Sequence, residues 1–288
     1  MFYTAGYAYG ADPDELDQTA TLTVAKSALN LASGSVSAQN LYAGAHARKG
    51  AYTVVEQTEI TVTGGSFGRI YGGGWAEKVG KSEVGSSTIT VSGGIVNFIY
   101  AGGGNAEGGE TVVTGAVNIT VSGDANVGIV FLAGKNINCT TEGAVTMTVS
   151  GPAKTMTRVS GWNANGKENP SLTTLELQTS LDVEYLDHVD VVRIAEGSTL
   201  NVSADLWYEA ASALKIDFDI DGSLETADWT AMSGVGMDIY RAAQYTIDGG
   251  STVYTYDSKS GKLVNGTTES DYGLDFSEAN KVKFVTIA

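Results

Sequence analysis

The stretch TITVSGGIVNFIYAGGG, Thr88–Gly104, decides the fold. A short strand of alternating Thr and aliphatic residues meets a Gly-Gly turn, a second short strand and a further run of glycine. Both halves recur. The first appears as TLTV (Thr21–Val24), ITVT (Ile60–Thr63), TITVS (Thr88–Ser92), NITVS (Asn118–Ser122) and TMTVS (Thr146–Ser150), then as TLELQ (Thr174–Gln178) and TLNVS (Thr199–Ser203). Steps between their first apolar residues are 38, 29, 30, 28, 28 and 25. The second half appears as NLYAGA ending at Ala45, RIYGGGW ending at Trp75, FIYAGGG ending at Gly104 and FLAGKN ending at Asn136, with the matched Ala43, Gly72, Ala101 and Ala133 spaced 29, 29 and 32. Two motifs on one period define one structural unit per period.

Each unit has strands of about five residues and no sustained 3.6-residue pattern. A unit this short cannot bury its own apolar face, so units must stack. The fold expected is all-β: a right-handed parallel β-helix over residues 1–205, with an irregular all-β cap or a solenoid continuation over residues 206–288. Strand alternation points Leu22, Val24, Ile60, Val62, Ile89, Val91, Ile119, Val121, Met147 and Val149 inward, followed by Leu175, Leu177, Leu200 and Val202. Toward the C-terminus LKIDFDI, AAQYTIDGG, STVYTYD and KVKFVTIA read as period-two strands with DG and GG turns. The stretch around Ala227–Gly236 reads as a turn or a brief helix.

Composition narrows the function. With 42% apolar residues the chain can form a core, unlike a disordered Gly-rich segment. A net charge of −16 repels nucleic acid and anionic lipid, so neither is an expected partner. No apolar run reaches the ~18 residues of a membrane helix, so direct membrane insertion is not expected. The single Cys139 excludes an intrachain disulfide framework. No basic start and apolar h-region follow Met1. FYTAG at Phe2–Gly6 matches the second motif, so the sequence starts mid-unit and reads as a piece of a longer protein with its export signal upstream. The expected state is a monomer.

The Gly-rich rungs IYGGG and IYAGGG, the ITVSGG strand and the phrase IAEGSTLNV (Ile194–Val202) resemble autotransporter-type passenger repeats of Gram-negative host-associated bacteria. That resemblance implies a secreted or surface-displayed β-helix, commonly an adhesin, placed extracellularly or on the bacterial surface. A host glycan or surface protein is the partner it implies.

Three sets of side chains are candidate sites. Thr61, Thr63, Thr88, Thr90, Thr120, Thr146 and Thr148 take outward strand positions and form a hydroxyl array. Ordinary β-propensity on a solvated face is the leading explanation of such an array; its functional readings are ligand binding, ice binding or O-glycosylation. Tyr42, Tyr71 and Tyr100 share one position of the unit, with Tyr3 in the partial first copy and Trp75 just beyond. They read either as a packed ladder or as aromatic faces for a glycan or protein. Asp217, Asp219, Asp221 and Asp228, around Gly222, match a calcium loop, although LKIDFDI is also a plain strand. Calcium is the one cofactor candidate.

Enzyme signatures are sparse. His46 and His188 have no Cys, His or carboxylate at metal spacing. The sequence holds no P-loop and no nucleophile elbow. Glu77, Glu83, Glu107 and Glu110 fall in rung loops where carboxylates can meet. A non-catalytic adhesin is the leading expectation; a carbohydrate-active β-helix enzyme and an ice-binding solenoid are the alternatives.

Overall fold

A computed structural model describes residues 2–10, 20–32, 36–207, 215–218, 228–234, 238–279 and 281–287. The protein is 62% strand and is a parallel β-solenoid. It divides into two compact units, Met1–Met147 with Ser160–Thr173, and Thr148–Val159 with Thr174–Ala288.

In the first unit the strands Tyr52–Tyr71 and Lys81–Tyr100 lie parallel over their whole length. Thr21–Leu31 and Ser37–Tyr42 pair along one edge of this pair. Glu110–Val113, Val117–Val121 and Asn126–Phe131 pair along the other. Matching residues of successive rungs therefore stand in columns. Val55, Val84 and Val113 form one, Ile60, Ile89 and Ile119 a second, and Val62, Val91 and Val121 a third. Phe67, Val96 and Val127 form a fourth, and Leu41, Ile70, Ile99 and Val130 a fifth. All these side chains are buried. Each contributes roughly 1.5–3 kcal/mol of transfer free energy, so the columns are the main source of stability. Leu22 and Val24 are only half-buried, because their strand pairs on a single side among the described residues.

Corners follow from glycine. Gly65 and Gly94 adopt φ of 95° and 82° where the long strands turn, a region that other residues enter only with strain. At the second corner the need is space. A Cβ on Gly103 would lie 2.5 Å from the Gly74 carbonyl oxygen and 2.6 Å from Thr111 Oγ1. Beyond this corner runs a smaller parallel sheet of three-residue strands, Tyr7–Tyr9, His46–Arg48, Trp75–Glu77 and Gly104–Ala106.

In the second unit Thr173–Leu177, Val191–Ile194, Lys215–Phe218 and Gln244–Ile247 stack in parallel. Leu181–Asp187, Leu200–Trp207 and Asp228–Gly234 do the same on another side. Leu175, Leu177, Leu200 and Val202 are buried here, as alternation requires. Parallel pairing thus extends to residue 247, and an antiparallel meander follows through Tyr254–Tyr256, Lys262–Asn265, Thr268–Asp275 and Lys281–Thr286. Its last strand returns antiparallel onto Asp228–Gly234, and Phe284 stacks on Phe218 at 4.0 Å. Within the Ala227–Gly236 stretch, Asp228–Gly234 is a strand rather than a helix; the short helix lies later, at Asp238–Ala242. Its Tyr240 is buried against Tyr245, whose hydroxyl donates to the Tyr240 carbonyl. Among the described residues no helix is long and apolar enough to cross a membrane.

Candidate functional site

The tyrosine positions are the first correction. Tyr42, Tyr71 and Tyr100 are 1%, 1% and 4% exposed. Their rings stack face to face at 4.3 and 4.8 Å, and the stack continues to Tyr3 at 5.0 Å and Phe131 at 5.3 Å. The register sets Phe131 opposite Tyr100, so the ladder gains a rung that the motif spacing misaligned. Ile70 and Ile99, the residues just before Tyr71 and Tyr100, are buried on the opposite strand face. These strand ends are therefore covered on both sides. Trp75, 9% exposed and 5.5 Å from Tyr42, closes the aromatic cluster with Ala106 from the small sheet. No face of Tyr42, Tyr71 or Tyr100 is open to a sugar; these residues and Trp75 form a second core. Burial drives the Tyr42 and Tyr71 phenols far above their usual pKa.

The threonine array survives as a surface. Thr61, Thr90 and Thr120 stand opposite one another on three successive rungs and are partly exposed, alternating with buried Ile and Val. Parallel rungs are about 4.8 Å apart and alternate residues about 6.6 Å apart along a strand, so the hydroxyls form a grid. The neighbouring column reads Glu59, Thr88 and Asn118. Glu59 is held by Lys26 at 3.1 Å. Thr63 is exposed and faces Gly93, which leaves a gap in its column. Thr146 and Thr148 are half-exposed on Val145–Val149, and Thr148 Oγ1 donates to Glu176 at 3.2 Å. Hydroxyl and amide groups both donate and accept, which suits a hydroxylated or peptide ligand.

Asp217, one of the four carboxylates of the calcium reading, is enclosed by the protein's own donors. This residue is 1% exposed, and four donor contacts occupy its carboxylate. Arg193 Nε donates to Oδ2 at 2.9 Å and Thr246 Oγ1 to Oδ1 at 2.7 Å. The Gly249 amide lies 2.9 and 3.0 Å from the two oxygens. A guanidinium fills the place a cation would need. Asp219 and Asp221 lie outside the described residues, and Asp228 is described only as the first residue of its strand.

Sequence reading missed the column to which Asp217 belongs. Glu176, Arg193, Asp217 and Thr246 are in register across four strands. Arg193 bridges Glu176, at 2.5 Å, and Asp217. A shallow pocket of about 370 Å³ opens beside Arg193, Asp217, Asp248 and Gly249. Sequence reading also missed an asparagine ladder. Asn136 Nδ2 donates to Asn105 Oδ1 at 2.7 Å, and Asn163 Nδ2 to the Asn136 carbonyl at 3.4 Å. The recurring Gly-x-Asn at residues 103–105, 134–136 and 161–163 is the signal that finds it.

The four glutamates do not converge, and Glu77, Glu83 and Glu110 lie on strands rather than in loops. Each reaches back one rung: Glu77 to Arg48 at 2.6 Å, Glu83 to the Tyr52 hydroxyl at 2.6 Å, Glu107 to Lys78 at 3.6 Å and Glu110 to Lys81 at 3.1 Å. His46 lies 3.6 Å from Glu77, and burial holds its pKa below the usual value. His188 Nδ1 is 3.3 Å from Asp187 Oδ1. The glutamate contacts knit rungs together, whereas His188 and Asp187 are sequence neighbours.

Fold and side chains together define a parallel β-solenoid with polar columns on its faces. Comparison with known proteins gives no matching family model, no matching curated protein and no matching solved structure.

Proposed function

We propose that this chain is a non-catalytic passenger-like segment of a secreted or surface-displayed bacterial adhesin. It binds a host glycan or surface protein through the hydroxyl face. The reading rests on the in-register column Thr61–Thr90–Thr120, held partly exposed by three hydrogen-bonded rungs. Such a grid offers repeated donors and acceptors on a stiff support, so little ordering entropy opposes binding. The −16 charge suits a solute of the extracellular medium and disfavours polyanionic ligands. Pairing of Glu77, Glu83, Glu110 and Arg193 within the protein favours support over catalysis.

The test is binding of the purified chain to a host-glycan array and to epithelial cells. The double variant Thr61→Arg/Thr90→Arg fills the grid with bulk and charge. It should cut retention about tenfold, the equivalent of ~1.4 kcal/mol. Asn97→Arg, an exposed change on the strand segment past the Gly-Gly turn, should leave retention unchanged. Equal retention of both variants sinks the hydroxyl face as the binding surface. Release of reducing ends from a polysaccharide panel would replace the adhesin with an enzyme.

A further inference from the structure

We propose that Arg193 and Asp248 bind one ring of a neutral saccharide in the shallow pocket of the second unit, Arg193 donating to one hydroxyl and Asp248 accepting from its neighbour. The site is separate from the hydroxyl face and does not depend on it.

The guanidinium is fixed before any ligand arrives. Arg193 stands on a strand with hydrogen-bonded strands on both sides, Thr173–Leu177 and Lys215–Phe218. Its Nη1 donates to Glu176 Oε1 at 2.5 Å and its Nε to Asp217 Oδ2 at 2.9 Å. Each carboxylate is held in turn by a threonine, Glu176 by Thr148 at 3.2 Å and Asp217 by Thr246 at 2.7 Å. That leaves Nη2, which donates to no acceptor among the described residues. The side chain is 40% exposed and lines the pocket. Its two remaining Nη2 hydrogens thus have a set direction.

The facing wall is a turn. Asp248 and Gly249 take φ of 53° and 64°. The Asp248 amide donates to the Phe218 carbonyl and the Gly250 amide to the Ile247 carbonyl, both at 2.9 Å. The Gly249 amide donates to Asp217. A Cβ on Gly249 would lie 3.9 Å from Arg193 Nη2, so a larger residue would crowd the donor and glycine keeps it open. Asp248 is exposed and lines the same pocket of about 370 Å³. That is near the lower end of ligand clefts and suits a single ring.

The hydrogen-bonding pattern selects the ligand. Glu176 and Asp217 already neutralise Arg193, so Nη2 offers hydrogen bonds without spare charge for an anion. Asp248 would repel an anion as well, although Lys215, exposed two residues before Asp217, offsets part of that field. An ammonium group satisfies Asp248 but cannot accept from Nη2. Two adjacent hydroxyls do both: one oxygen accepts from Nη2 and the next donates to Asp248. A neutral pyranose carries such pairs at fixed separation.

Saturation-transfer NMR on the full chain tests this. The neutral probes are the methyl glycosides of glucose, galactose, mannose and N-acetylglucosamine, and methyl glucuronide is the anionic one. At least one neutral probe should receive saturation, and the glucuronide should bind no better than the best of them. Asp248→Gly, which suits the positive φ, should weaken affinity by about tenfold or more. Arg193→Lys keeps a charge between the carboxylates but loses the Nη2 donors, and should weaken it by about as much, tenfold. Asp248→Asn keeps an acceptor and should cost about threefold or less. Asn97→Arg, outside the pocket, should leave the transfer intact. Circular dichroism checks that each variant stays folded. Transfer to none of the four neutral probes, tighter binding of the glucuronide than of all four, or transfer undiminished in the folded Asp248→Gly variant overturns the proposal.

Discussion

The aromatic ladder makes a prediction that depends on position. Tyr71 lies between Tyr42 at 4.3 Å and Tyr100 at 4.8 Å and is buried. Truncating a buried aromatic to Ala costs about 3–5 kcal/mol, because transfer energy is lost and a cavity remains. Tyr71→Ala should therefore destabilise by about 4 kcal/mol. Tyr3 closes the same ladder, half-buried and with a single ladder neighbour. Tyr3→Ala should cost about 1–2 kcal/mol, since less surface returns to water. In thermal unfolding, ~4 kcal/mol corresponds to about 7 °C if the chain melts as one, and nearly twice that if the first unit melts alone. Urea midpoints followed by far-ultraviolet circular dichroism give the comparison, with the slope checked for constancy. Tyr71→Phe separates ring from hydroxyl and, keeping the stacked ring, should cost about 1 kcal/mol or less. Were Tyr71 a surface residue, its removal would stay within about 0.5 kcal/mol. That result, or equal losses at Tyr3 and Tyr71, would refute the second core.

Gly103→Ala should lower stability by about 3 kcal/mol or block folding, since its Cβ meets backbone and Thr111. Gly197→Ala has open space and only φ of 72° to oppose it, so about 1 kcal/mol is expected; soluble yield and urea midpoints compare the two. Arg193→Met leaves Asp217 buried beside an apolar chain. Because the arginine side chain is 40% exposed, a discounted loss of about 1–3 kcal/mol is expected in urea unfolding. Millimolar calcium should neither restore that loss nor release heat on titration into the unmodified protein. Alkaline titration followed by tyrosinate absorbance should ionise Tyr9 first, because its hydrogen bond with Lys49 lowers its pKa. Tyr3 and Tyr52, pushed up to about 12 mainly by burial, should follow, with Tyr42 and Tyr71 later still. The folded state then keeps protons that the unfolded chain releases above pH ~10, so stability should fall from there upward.

The inward columns were legible because two signals coincide at Ile60, Ile89 and Ile119: period-two alternation within a strand and a period near 29 between strands. Tyr71 and Tyr100 obey the same alternation, which assigns them to the far face and leaves a packed ladder and an exposed array both open. What covers that face is a sheet of three-residue strands, too short to show any periodicity. The ladder's burial is thus a tertiary fact without a local signature. The enclosure of Asp217 was illegible for a related reason. Its spacing to Asp219 and Asp221 is local, but the groups that fill its carboxylate come from Arg193 and Thr246, 24 and 29 residues away. The hydroxyl grid was legible as a pattern; its gap at Gly93 depends on a register shift that begins after Val62.

Columns that repeat every 29 residues also set how such a gene can change length. Tyr52, Lys81 and Glu110 occupy one position on successive rungs. Excising residues 81–109 would place Glu110 directly on Tyr52, with valine again meeting valine and isoleucine meeting isoleucine. Only the ladder and the Gly-rich corner would exchange neighbours, each for a near copy. Duplication of the same segment would be equally mild. Slippage between repeats during replication, which destroys most globular domains, would here yield taller or shorter proteins with intact cores.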